Sequence, residues 1–161
     1  MDKVLFTKAL EHLELNGSLR KELVSSEAIK FLTKHNAPQS IIDFFNEFSY
    51  SQPIRFNNVY FNYVNEIASN NLEDENQACI NNGLIIIGSG LNGDPIVLDL
   101  TTLTVGYVFH DELWEQESED YNPREHSFID LKCSIGAFYL NIVTIDNYPV
   151  DAHQAEEFIK K

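Results

Sequence analysis

Residues 84–109 constrain the fold more than any other part of the chain. Three short runs rich in β-branched and aromatic residues, LIIIG, PIVLDL and TVGYVF, follow one another there with only a few residues between them. Runs of that composition read as strands. A parallel crossover needs a dozen or more residues, so strands joined this closely run antiparallel. Side-chain alternation puts Ile96, Leu98 and Leu100 on one face of the second strand, with Val97 and Asp99 opposite. In the third strand Val105, Tyr107 and Phe109 share a face.

The first connection holds Gly88-x-Gly90-x-x-Gly93, the spacing of a dinucleotide-binding loop. Such a loop opens a helix whose N-terminus holds the pyrophosphate. Here Gly93 is followed by Asp94 and a strand, and Asp94 would place negative charge where the phosphates lie. A protein-kinase loop does lie between antiparallel strands, but it needs a lysine on the next strand. Residues 56–123 contain no Lys or Arg. The glycines therefore read as a β-hairpin turn centred on Asn92-Gly93, two residues that tolerate positive φ.

Around this core the pattern is mostly helical. Val4, Leu5, Ala9, Leu10 and Leu13 recur at helical spacing, and Asn16-Gly17 is a stop signal. Ser25-Ser26 precede a second helix ending near Asn36. Ser40 is the expected cap of a third that buries Ile41, Phe44, Phe45 and Phe48. IRFNNVY reads as a strand bent or turned at Asn57-Asn58, YVNEIASNN as a helix, and LEDEN as an acidic turn. From His110 to Glu125 the chain is polar. HSFIDLKCSIGAFYLNIV reads as one helix with Ser127 as its cap, and Asp151 as the cap of a last helix reaching Lys161. At 161 residues, with no repeat, the expectation is one domain.

The net charge of −14 is unevenly placed. Residues 1–55 hold seven basic and seven acidic side chains, whereas residues 56–123 hold twelve acids and no Lys or Arg. Such a surface repels nucleic-acid phosphates and anionic membranes. The N-terminus lacks the basic and apolar regions of a signal peptide, and the longest apolar run, LIII, is too short to span a bilayer, so the expected location is the cytoplasm. Cys79 and Cys133 stand far apart in no CxxC motif. A disulfide between them stays open, with buried free thiols the expected state.

Candidate chemistry is sparse. The five histidines have no HxH or HExxH spacing. His110-Asp111 at a strand end reads as either an acid–base pair or a partly exposed structural residue. Asp94 and Asp99 are a candidate carboxylate pair, although Asp99 reads equally as a solvated strand residue or as the cap of the Thr101-Thr102 turn. No nucleophile elbow and no EF-hand spacing occurs. No catalytic set emerges, and no cofactor or metal site is expected.

The middle of the chain resembles the SUKH superfamily, whose best-known branch is the Smi/Knr family of fungal cell-wall assembly regulators. The resemblance rests on GSGLNGD (Gly88–Asp94), IVLDL (Ile96–Leu100) and GYVFHD (Gly106–Asp111), with Pro38 and IIDFF upstream and HSFIDL downstream. It covers roughly residues 36 to 145. FSYSQP replaces the "NG" that usually follows the first of these helices, and residues 1–35 stand as a helical N-terminal addition. The resemblance implies an α+β fold, with a central, mainly antiparallel twisted sheet and helices packed around it. It also implies a cofactor-free binding protein, and for many bacterial members an immunity role against a toxin.

Two functions follow as expectations. One is a cytoplasmic immunity protein that blocks a cognate toxin, with a basic nuclease as a candidate; the other is a regulator or scaffold with an unrelated protein partner. Either would use the segment DELWEQESED, which follows directly on a strand. Its expected partner-binding residues are Asp111, Glu112, Trp114, Glu115, Glu117, Glu119 and Asp120. Trp114, the only tryptophan, is either an interface anchor or a lid over the core. The acids are either steering charges or a solvated face.

Overall fold

The computed structural model describes residues 2–13, 18–116 and 120–161. It is an α+β fold built on one six-stranded sheet whose spatial order follows the chain, β1 to β6, every neighbouring pair antiparallel. The strands are β1 (Ile54–Phe56), β2 (Val59–Phe61), β3 (Leu84–Ser89), β4 (Pro95–Asp99), β5 (Val105–Val108) and β6 (Phe128–Cys133). Tight connections account for the meander. IRFNNVY becomes a hairpin rather than a bent strand, turned by Asn57 at φ +53°.

Between β3 and β4 the backbone bonds Gly90 N to Asp94 O (2.8 Å) and Gly93 N to Gly90 O (3.2 Å) close a three-residue loop. Gly93 alone takes the left-handed conformation, at φ +84°; Asn92, expected to share it, does not. Pro95 follows as the first residue of β4, where its missing N–H costs least.

The expectation for the HSFIDLKCSIGAFYLNIV segment fails. It is not a single helix: Phe128–Cys133 pairs with β5, and the helix starts at Ile135 with Ser134 as its cap (Oγ to Ala137 N, 3.4 Å). Ser127 is instead buried against Tyr121, whose hydroxyl donates to its Oγ at 2.6 Å. The unpaired edge of β5 outweighs the helical spacing. Gly106 lets the strands close, since a Cβ there would lie 2.0 Å from Ile129 O. Lys132, at φ +57°, bulges the new edge strand, with its N–H on Asp130 Oδ1 at 2.8 Å.

The central strands are buried on both faces. One face meets the main core, supplied by α1 (Asp2–His12), α2 (Ser26–Lys34), α3 (Gln39–Glu47), α8 (Ile135–Thr144) and α9 (Ala152–Ile159). Its centre is Phe6, fully buried, with ring centroids 4.6–5.5 Å from Phe44, Phe48, Phe56, Phe61 and Tyr139. The N-terminal segment read as an addition thus supplies the middle of the core. α1 is tied to α8 by Asp2 Oδ1, which accepts from Gly136 N at 2.6 Å.

Caps set the helix starts. Ser25 Oγ accepts from Ala28 N at 3.1 Å, and Asp151 Oδ1 from Gln154 N at 2.8 Å. For α3 the N-cap is Pro38, and Ser40 lies inside the helix rather than capping it. Ile41, Phe44, Phe45 and Phe48 are buried as the sequence predicts. The expected stop at Asn16-Gly17 lies outside the described residues.

The opposite face carries Leu84, Ile86, Val97 and Val108. Cys79 from α5 (Gln77–Asn81) and Leu113 from α6 (His110–Trp114) cover it. Strand β2 is too short to pair all of β3, and Asn71 of α4 (Ile67–Leu72) takes the vacant place. Its buried amide accepts from Ile86 N (2.7 Å) and donates to Ile86 O (3.0 Å), as a neighbouring strand would. LEDEN, expected as a turn, runs through a 3-10 turn at Asp74–Asn76 into α5.

Two stability measurements check this account. A Cβ at Gly93 would meet no atom within 4 Å, so the cost of Gly93→Val is chiefly backbone strain at its positive φ, about 1–3 kcal/mol in chemical denaturation. Phe6→Ala should cost more, about 3–5 kcal/mol, because it empties the centre of the aromatic cluster.

Candidate functional site

The site is built where β5 gives way to α6. Asp94, buried at the foot of β4, binds three donors: His110 N (3.1 Å) and Nδ1 (2.6 Å) through one oxygen, Ala152 N (2.8 Å) through the other. One carboxylate therefore fixes the starts of both α6 and α9. His110 Nε2 reaches Asp111 Oδ1 at 2.8 Å, and its ring lies 5.0 Å from that of Trp114. The sequence-predicted His110–Asp111 pair does meet, with Asp94 on the other ring nitrogen. The Asp94–Asp99 pair does not form. The two residues stand at opposite ends of β4, about 16 Å of extended chain apart.

Asp99 is neither solvated nor only a cap. It is buried, accepts from Thr101 N (2.7 Å) and Thr102 N (3.3 Å), and meets the Arg124 guanidinium in a two-pronged pair, with one N···O distance 2.8 Å. Burial pushes the Asp99 carboxyl up, but the hydrogen bonds and charge of Arg124 and the two turn N–H groups outweigh it and hold the group below its ordinary value. Arg124, in α7 (Pro123–His126), also donates from Nε to Asn82 O at 3.0 Å. The first basic residue after the acidic stretch is thus committed to a buried carboxylate.

Of the expected partner-binding residues, Asp111, Glu112, Glu115 and Asp120 are exposed. Glu117 and Glu119 lie outside the described residues. Trp114 is not the lid over the core. Leu113, beside it, is the lid, 3% exposed; Trp114 is 45% exposed. Its indole N–H donates to Asn76 Oδ1 (3.3 Å), and Asn76 in turn donates to Asn70 O (2.8 Å). A buried amide therefore pins the ring at the surface.

That link reveals what the sequence reading missed. The turn preceding α5 packs against α6, bringing Asp74 and Glu75 to one side of a cleft and Trp114 to the other. The cleft has a volume of about 460 Å³, with Leu113 and Ala78 among its lining residues. Among the described residues no Lys or Arg lines it. The signal was present in the sequence, since both acid runs belong to the one stretch without basic residues.

Elsewhere the candidates resolve structurally. The backbone N–H groups of Gly90, Leu91 and Gly93 are engaged with Asp94 O, Val150 O and Gly90 O. Cys79 and Cys133 are free thiols on opposite faces of the sheet, with Cys79 pushed up to about 12 by burial. Among the described residues no group of three or more His, Cys, Asp or Glu is placed to hold a metal ion, and no helix is long and apolar enough to cross a membrane. No known protein family, curated protein or solved structure matches the chain.

The Asp99–Arg124 pair yields a pH prediction. A carboxyl held below its unfolded value stabilises the fold above that value, near 4, and the contribution is lost as pH falls through the folded one. Arg124→Ala should cost roughly 3 kcal/mol at pH 7, the low end for breaking a buried pair, since the guanidinium keeps some solvent contact. The deficit relative to wild type should shrink as pH drops below about 4. Denaturation midpoints from pH 3 to 7 check both.

Proposed function

We propose that the protein is a non-enzymatic, cytoplasmic protein-binding domain of the SUKH type, and that it serves as an immunity protein neutralising a cognate basic toxin domain. The observation that carries this reading is Trp114. A large aromatic residue, half exposed and held there by a buried amide, shares a cleft with Asp74 and Glu75, and the exposed acids Asp111, Glu112 and Glu115 are its neighbours along the chain. Interface anchors are most often such residues, surrounded by polar groups that exclude water. Holding the ring in place lowers the entropy lost on binding.

These acids supply the other half of the argument. Exposed carboxylates with no intervening cation attract a basic partner and raise its encounter rate. The same charges disfavour nucleic acid and anionic lipid as partners. The antiparallel sheet with helices on both faces agrees with the architecture that the SUKH resemblance implies. Neither a cofactor nor a catalytic group enters this reading. A regulator or scaffold of the Smi/Knr kind would bind a different protein with the same face.

The test is capture of the partner from the native host, followed by binding kinetics. Trp114→Ala should weaken affinity by about 2 kcal/mol or more. Reversing Glu115, Glu117 and Glu119 to Lys should chiefly slow association, and more so at low salt. Thermal stability should change little on charge reversal. Unchanged capture by both variants would place the interface elsewhere.

A further inference from the structure

The cleft beside Trp114 has a chemistry more specific than its charge. Its aromatic walls are Trp114 and Tyr121, and the polar groups of both are already engaged. The indole N–H donates to Asn76, and the Tyr121 hydroxyl donates to Ser127 Oγ at 2.6 Å. The amide nitrogen of Gln77 is likewise directed to Leu72 O at 3.1 Å. These three residues therefore offer ring surface and a carbonyl oxygen, not donors. Asp74 and Glu75 add carboxylates, which are acceptors only. The cleft thus sets two aromatic rings beside carboxylate acceptors, with the amides of Asn81 and Gln116 also on its lining and no Lys or Arg among the described residues, and it has the volume for more than a single ammonium group.

Such a cavity suits one side chain best. A guanidinium is planar, always charged and weakly hydrated. It has five donors in a fixed fork and stacks on aromatic faces. A lysine ammonium is a compact point charge that holds its water and has no face to stack. We infer that the cleft between α5 and α6 is an arginine subsite, filled by an Arg side chain that the protein partner presents. This inference rests on the partner-binding reading of the face and adds the identity of the residue recognised.

The experiment uses the full chain and two capped heptapeptides of equal charge, Gly-Gly-Arg-Gly-Arg-Gly-Gly and its lysine counterpart. Trp114 is the only tryptophan, so its emission reports directly on the cleft, with calorimetry as a second readout. The arginine peptide should perturb that emission and bind roughly threefold or more tighter than the lysine peptide. Asp74→Asn combined with Glu75→Gln should remove the preference, with the thermal midpoint unchanged because both side chains are exposed. Equal affinity for the two peptides, no binding of either, or a preference that survives the double substitution would overturn the subsite. None of those results touches the partner-binding reading, which is decided separately by the capture kinetics. If Trp114→Ala and the triple charge reversal both leave capture of the host partner intact, the interface lies elsewhere, and the assignment of the arginine to a partner falls with it, even where the peptide preference is found.

Discussion

Every residue of β4 from Pro95 to Asp99 is buried, and a strand covered on both faces dictates most of what surrounds it. One face has Ile96 and Leu98 against the aromatic core around Phe6. The other has Val97 beneath Cys79 and Leu113. Two layers of helix are needed, although the strand connections leave no room for helices between β3 and β5. The layers come from the chain before β3 and after β5. Hence residues 2–12 pack on α8, far away in sequence, and the short α5 and α6 close the smaller face.

Buried polar groups on that strand then have to be satisfied. Asp94 at one end takes three donors and in doing so fixes the starts of α6 and α9. Asp99 at the other end takes Arg124 and two turn N–H groups. Each carboxylate would be costly if left alone, so each demands a partner from a distant segment. The recognition face is a by-product of that demand. Because Asp94 sets where α6 begins, Leu113 points to the sheet and Trp114 emerges at the surface, next to the turn that carries Asp74 and Glu75.

The fold was legible where the signal was local. Antiparallel pairing of β3, β4 and β5 follows from connector length, and the facing of Val105, Tyr107 and Phe109 follows from alternation. Capping by Ser25 and Asp151 follows from side-chain chemistry. It was not legible at FIDLKC, whose spacing suits a helix but whose state is set by the open edge of β5. Nor could spacing tell that Asp94 and Asp99 lie at opposite ends of a strand, each with its own partner. For the site, the acids of α6 and Trp114 could be named, but the contribution of Asp74 and Glu75 depended on a contact between segments some forty residues apart.

By itself the sequence determined the antiparallel core, the helical surroundings and a middle segment whose acids no Lys or Arg offsets. Those properties depend on neighbours along the chain: alternation, turn chemistry and charge count. Tertiary structure alone decided that Phe6 lies at the centre of the core, that Phe128–Cys133 is a strand, and that Asp74 and Glu75 share one cleft with a pinned tryptophan. Each of these is settled by burial and hydrogen bonding between distant segments, where closing the sheet and covering both its faces outweighs local preference.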